Sequence, residues 1–378
     1  MFRRTLESAC GVAILLIAAA AGSGQSNNAG PYRDPRARTL EYNGPGRDEA
    51  EPRDVREVRI GYFGPADVSH PEGGEMWAGA SMALDEANAG GGYRGVPFRL
   101  DPAWTDDPWR GGVAKLARLT YDDAVWAIIG GIDGATTHLA EQLLPKALLP
   151  LVNPVAADRS IHAAGVPWVF SCAPGDHLQA AAIVDRLKAK GESFAIISAT
   201  DHDSRAFAKQ MNLAMVRQRL SPALHVEWEG RDEDVEGVVR PIASADVRAV
   251  VVIAPARGAT GIVTALRKSG YTGRVYGGMS IARVSAPLHG VIFPSPGDLK
   301  RDFTVRFRTR YGREPDYTAA YGYDAVQIVV AAVRRAGLNR ARIRDEIRAL
   351  SPIQGVAGVI EWDPAGQNRR AVNLVEAP

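Results

Sequence analysis

The residues of this chain that could do chemistry are few, and their spacing narrows what that chemistry is. The run Gly130-Gly131-Ile132-Asp133-Gly134-Ala135-Thr136-Thr137 leads from an apolar stretch into a helical one. Free backbone N–H groups at such a helix start, at the positive end of its dipole, hold an anionic group such as a carboxylate. Thr136 or Thr137 could add a hydroxyl to that niche, although threonine here equally serves as a plain N-cap. Asp201-His202-Asp203 suggests a metal, but three adjacent residues in one loop rarely converge on an ion, so no metal is expected. Cys172 reads as a small buried residue rather than a reactive thiol.

Enzyme signatures are missing. There is no G-x-S-x-G elbow, phosphate-binding loop or H-E-x-x-H, and the seven histidines are scattered without ligand spacing. Gly90, Gly91, Gly92 and Gly95 follow a helix instead of joining a strand to one, so they form no dinucleotide fingerprint. Neither catalysis nor a cofactor is expected. With 45 basic and 43 acidic residues the net charge is +2, which gives no electrostatic case for nucleic acid.

The elements that must position these residues alternate along the chain. With 378 residues, two domains are expected. Arg3 and Arg4, the apolar run Gly11–Ala21 and the small residues after it form a secretory signal pattern, assigned to residues 1–24. Export to the periplasm follows. Cys10 precedes the apolar run, so no lipid anchor is expected. Residues 25–56, rich in Pro, Gly, Asn and charge, read as a flexible linker. From Val58 onward, apolar strands (Val58–Phe63, Val96–Trp104, Val125–Ile129, Leu149–Asn153) alternate with amphipathic helices such as Glu75–Ala89. After Cys172 the alternation resumes with strands Phe194–Ser198, Leu224–Trp228, Ala249–Ala254 and Val275–Gly277. Continuous apolar strands between helices imply mostly parallel, doubly wound α/β sheets with ligand loops after the strands. The last third is more helical: Asp298–Tyr311, Thr318–Ala336 and Arg340–Leu350, then a strand at Val359–Asp363.

Several stretches together resemble one family. Glu75-Met-Trp-Ala-Gly-Ala-Ser-Met-Ala-Leu-Asp-Glu-Ala-Asn-Ala-Gly-Gly-Gly-Tyr-Arg-Gly95, Asp106–Pro108, Trp126-Ala-Ile-Ile-Gly-Gly131, Leu149-Pro-Leu-Val-Asn-Pro-Val-Ala156 and Tyr311–Val326 are similar to motifs of the type I periplasmic binding proteins of the branched-chain amino acid transporter group. The resemblance runs from about Val58 to Glu376. It implies two Rossmann-like lobes joined by a three-segment hinge: residues 57–172 with 292–352, and 173–291 with 353–378. It also implies a monomeric ABC-transporter substrate-binding protein that closes on a small molecule and delivers it to a membrane permease.

By position, the resemblance puts the pocket at Gly64, Pro65, Gly73 and Gly74, the Asp133–Thr137 loop, Val155–Ala157, Thr200–Asp203, Pro255–Arg257 and Gly278–Ser280. The candidate ligand-binding residues are Asp133, Gly134, Ala135, Thr136, Val155, Ala156, Ala157, His202, Asp203, Arg257 and Met279. The chain departs from the family where a serine is replaced by Gly134, a threonine by Ala157, an aromatic by Pro255 and a Tyr-Gly by Asp203-Ser204. The acid expected to hold an α-ammonium falls near Met279–Ser280. Loss of these partners argues against leucine or valine and for another small polar, carboxylate-bearing molecule, since each charge-assisted bond is worth about 1.5–3 kcal/mol. Arg257 could grip a carboxylate bidentately or be a solvated loop residue. Arg283 is also near, and Trp104 offers a flat wall or belongs to the core. The second reading is a sensor reporting occupancy to a membrane or regulatory partner.

Overall fold

The structure, a computed structural model, describes residues 41–378 except 106, 164 and 284–287. The signal segment 1–24 and linker residues 25–40 lie outside the described residues.

Two sheets organise the chain. The first has the order β2 (Phe98–Pro102), β1 (Val58–Phe63), β3 (Ile128–Gly130), β4 (Leu151–Asn153), β5 (Val169–Ser171), all parallel. The second runs β13 (Leu374–Glu376), β10 (Val291–Pro294), β9 (Arg274–Gly277), β8 (Ala249–Ile253), β6 (Phe194–Ala199), β7 (Leu224–Trp228). All its pairs are parallel except β13 against β10. A hairpin of β11 (Ile353–Gly355) and β12 (Gly358–Ile360) completes the set. Every residue of β6 and β8 is buried, because helices cover both faces of the sheet. Each fully buried aliphatic side chain there contributes about 1.5–3 kcal/mol.

Each sheet separates two apolar clusters. On one face of the first sheet, the helices Gly74–Ala89 and Tyr317–Ala336 cross at close range. A Cβ at Gly79 would meet the Ala319 carbonyl at 1.8 Å, and one at Gly322 the Met76 carbonyl at 2.4 Å. Glycine is required at both positions by backbone approach. The other face packs Phe63, Leu116, Leu139 and Trp168. The expected helix Gly111–Tyr121 takes a different form: a short α-helix Val113–Ala117 is flanked by wider π-type turns at Pro108–Gly112 and Arg118–Asp122.

The chain crosses between the sheets repeatedly. β10 and β13 belong to the second sheet, while Val356, Ala357, Ile360 and Trp362 around the hairpin pack into the core of the first. Residues 41–56 correct the linker reading, because they are docked. Buried Tyr42 stacks edge-on against Trp168 at 5.0 Å and donates its N–H to Asp345 at 3.1 Å. The side-chain amide of Asn339 donates to the carbonyls of Gly46, Arg47 and Glu49. Composition marked this segment as polar, yet the strap is held by hydrogen bonds to the first lobe together with the buried ring of Tyr42.

Candidate functional site

Loops that leave the C-terminal ends of both sheets face one another across a cleft of about 490 Å³. This is where a doubly wound sheet places its ligand. Two hollows of about 510 and 680 Å³ lie on the outer surface of the second sheet's helices, away from the junction.

In the first lobe's wall, the side chains that open the helix Gly134–Glu141 are bonded to their own loop. Asp133 caps the helix Gly134–Glu141, accepting from the Thr136 N–H at 2.7 Å and from its hydroxyl at 2.6 Å. The Thr136 hydroxyl in turn accepts from the Ile132 N–H at 3.1 Å. Thr137 donates to the Asp133 carbonyl at 2.7 Å and accepts from the Asn153 amide. This reciprocal cap satisfies the orphan donors of the first turn and leaves the Gly134 N–H free to face outward.

That N–H is met by the other lobe. Both carboxylate oxygens of Asp203 accept from it at 3.0 Å. A Cβ at Gly134 would lie 2.6 Å from Asp203 Oδ1 and 2.9 Å from Asp158 Cβ, so the serine that the resemblance expects there would have to displace them. Beside it, His202 Nε2 lies 2.8 Å from Asp158 Oδ2, and His138 Nε2 lies 3.3 Å from the same oxygen. Glu141 holds His138 from behind, with Nδ1 to Oε2 at 2.6 Å. Hydrogen bonds to Asp158 and then Glu141 hold the His138 imidazole protonated, up to about 10. Burial pushes Asp203 up to about 6, and the Asp133 charge adds to the push. Asp176 is pushed up to about 7 by burial and then by Asp158.

The opposite end of the cleft carries its one arginine among the described lining residues. Arg283 reaches across the lobes, donating from Nε to the Tyr317 hydroxyl at 3.2 Å and lying 3.3 Å from Glu72 through Nη1. Acidic groups outnumber it: Glu72, Asp133, Asp158, Asp176, Asp201 and Asp203 all line the cleft. Gln179 accepts from the Met279 N–H at 3.4 Å. Exposed Trp109 and buried Phe207 give the space apolar walls. Such a cleft can hold a small molecule by a carboxylate at the arginine end, a cationic group among the carboxylates and an apolar part against the rings.

The sequence candidates separate into three groups. Asp133, Ala135, Val155, Ala157, His202, Asp203 and Met279 line the cleft, and Gly134 touches it through its N–H. Thr136 and Ala156 are turned away: the first is consumed by the cap and the second is buried in the core. Arg257 is a correction. Its side chain is 85% exposed and pairs with Asp232 at 2.9 Å, because each helical step turns about 100° and Ala256 takes the cleft-facing position. Trp104 packs against Phe63 at 5.7 Å as a core residue. Reasoning from sequence missed Trp109, Asp158, Asp176, Gln179 and Phe207. The position of Asp158, directly after Val155–Ala157, was the one available signal.

Comparisons with known proteins place the chain in a family and a fold. The sequence profile described as "periplasmic binding protein" matches residues 57–378. An amino acid binding protein of Pseudomonas aeruginosa is 25% identical over 330 residues, covering 82% of this chain and 87% of that protein. The fold is similar to the branched-chain amino acid transporter substrate-binding protein LivJ of Streptococcus pneumoniae in complex with isoleucine (TM-score 0.74, 21% identity, 85% of this chain and 100% of that one). It is likewise similar to a solute-binding protein of an R. palustris ABC transporter in complex with benzoate (TM-score 0.75, 16% identity, 85% and 93%). At these identities the structural matches establish the shared bilobed α/β fold. No helix among the described residues is long and apolar enough to cross a membrane.

Proposed function

We propose that this chain, which belongs to the periplasmic binding protein family, is the extracytoplasmic solute-binding component of an ABC importer. It takes up a small, polar, carboxylate-bearing, amino-acid-like molecule between its lobes and presents it to a membrane permease. The observation that carries this reading is the opposition in one interlobe cleft of Arg283 to a set of carboxylates. Arginine pairs with a carboxylate in a fork, and such charge-assisted bonds orient a ligand as well as hold it. Isoleucine and benzoate, bound by the two structural relatives named above, each carry a carboxylate. Asp133 and Asp176 offer partners for an ammonium, and Trp109 and Phe207 take the side chain. These relatives are transporter components, which favours delivery over sensing.

The two sheets with their helices act as lobes, and the crossings near residues 172–176, 294–300 and 360–372 act as the hinge. The ligand stabilises the closed form because only there do both lobes touch it. The protein works as an exported monomer whose leader is removed, and it releases its ligand unchanged.

The test is a thermal-shift panel of amino acids, small carboxylates, aromatic acids, amides and sugars. A true ligand at 100 times its Kd adds about 2.7 kcal/mol, several degrees in Tm. Arg283→Gln should weaken that ligand about 10–100-fold, the worth of a charge-assisted bond. A panel in which only sugars or amides stabilise the protein, or an Arg283→Gln variant that binds the best carboxylate unchanged, would overturn the proposal.

A further inference from the structure

From the arrangement of His138, Asp158 and His202 we infer a site for one divalent transition-metal ion of the zinc class, built across the two lobes. The three donor atoms lie within 4.8 Å of one another. His138 and His202 bring their Nε2 atoms to 3.3 and 2.8 Å from the same oxygen, Asp158 Oδ2, and the His138 Nε2 also lies 2.8 Å from the Ser160 hydroxyl. A tetrahedral zinc with bonds of about 2.0–2.1 Å separates its ligand atoms by roughly 3.3 Å, so the donors stand close to coordinating distance. The set of two histidines and one carboxylate suits zinc-class ions and is a poor match for magnesium or calcium, which prefer oxygen.

The surroundings are those of a built site. Glu141 Oε2 accepts a hydrogen bond from His138 Nδ1 at 2.6 Å, which keeps a proton on Nδ1 and turns Nε2 toward the site. A carboxylate behind a histidine is the usual outer shell of a bound metal. Asp158 is itself oriented by Ser160, whose N–H and hydroxyl donate to it at 2.8 Å, and its side chain is 2% exposed. His202 leaves a fourth direction open to the cleft, for water or for a ligand donor. An ion there takes the place of the hydrogen bonds between Asp158 Oδ2 and the two imidazoles.

The donors come from different lobes. His138 and Asp158 follow strands of the first sheet, and His202 opens the helix Gly134–Glu141 faces, residues His202–Gln218 of the second. The site is therefore complete only when the cleft is shut, and an ion bound there favours closure; reciprocally, closure on a solute tightens the metal.

The measurement is calorimetric titration of Zn2+ into the chelator-stripped, untagged full chain, with the visible absorption of bound Co2+ as a second readout of coordination. The expected result is one ion per chain, at least tenfold weaker in His138→Ala and in His202→Ala, and about 10–100-fold weaker in Glu141→Gln. His225→Ala, on β7, should leave affinity unchanged and serves as the check against scattered histidine binding. His202 is 42% exposed in its side chain, so its variant retains the fold, which circular dichroism verifies. No stoichiometric binding, or zinc affinity that survives His202→Ala, would overturn the site.

Discussion

The two lobes are built to different standards. The first contains backbone-to-backbone helix contact at Gly79 and Gly322, a buried Asp324, a fully buried Arg344 and a cap that uses the hydroxyls of Thr136 and Thr137. Asp324 accepts the Val356 N–H at 2.9 and 3.0 Å, tying the long helix Tyr317–Ala336 to the hairpin. The second lobe rests on plain aliphatic clusters such as Val250, Val252, Ile262 and Leu266, or Ile183, Val184, Ile196 and Met211. Yet it is the second lobe that extends His202, Asp203 and Arg283 over the gap. Buried polar ties concentrate in the first half, and the side chains that cross the gap come from the second.

That contrast can be broken most forcefully at Gly79. Gly79→Ala places a methyl into the Ala319 carbonyl and should cost about 3 kcal/mol, read as a loss in urea midpoint at constant slope. A smaller effect is expected at Asp324, which burial pushes up to about 7 against a donated Val356 N–H. Because the folded value lies above the unfolded one, ionising this group costs stability. The cost is absent below about pH 4, grows as pH rises, and is complete above about pH 7. Asp324→Asn should therefore remove about 2 kcal/mol of the stability lost between pH 4.5 and 7.5, measured as the difference between variant and wild-type urea curves. Unchanged pH dependence would show that the first lobe does not hold a strained carboxylate. The smallest effect has the opposite sign. Gly261, inside the helix Ala256–Lys268 of the second lobe, has open space around its missing Cβ. Gly261→Ala should stabilise by about 1 kcal/mol through helix propensity, and a loss there would erase the distinction between the halves.

What could be read from the sequence follows the same physics. Val58–Phe63 and Leu224–Trp228 were legible as strands because unbroken or alternating apolar runs bounded by turns have few other fates. The edge strands Val169–Ser171 and Leu374–Glu376 were not, since three residues carry no period and depend on a neighbour to pair with. Asp203 and Ala157 were recoverable from their places after strands. Asp176 and Trp109 line the cleft only because the two lobes meet as they do, a relation that no local pattern encodes. Arg257 was misjudged by one residue on a helix, enough to turn it from the cleft to solvent.

The docked strap ahead of the first strand bears on where this protein begins as a working unit. The family match starts at residue 57, but Tyr42 and Glu51 already lean on Trp168, Asp345 and Tyr93. An expression version trimmed at 57 would strip the cover from a tryptophan and an aspartate on the first lobe. The natural starting line for expression, crystallisation or labelling is therefore upstream of Glu41, and a probe attached at that end would report on the first lobe.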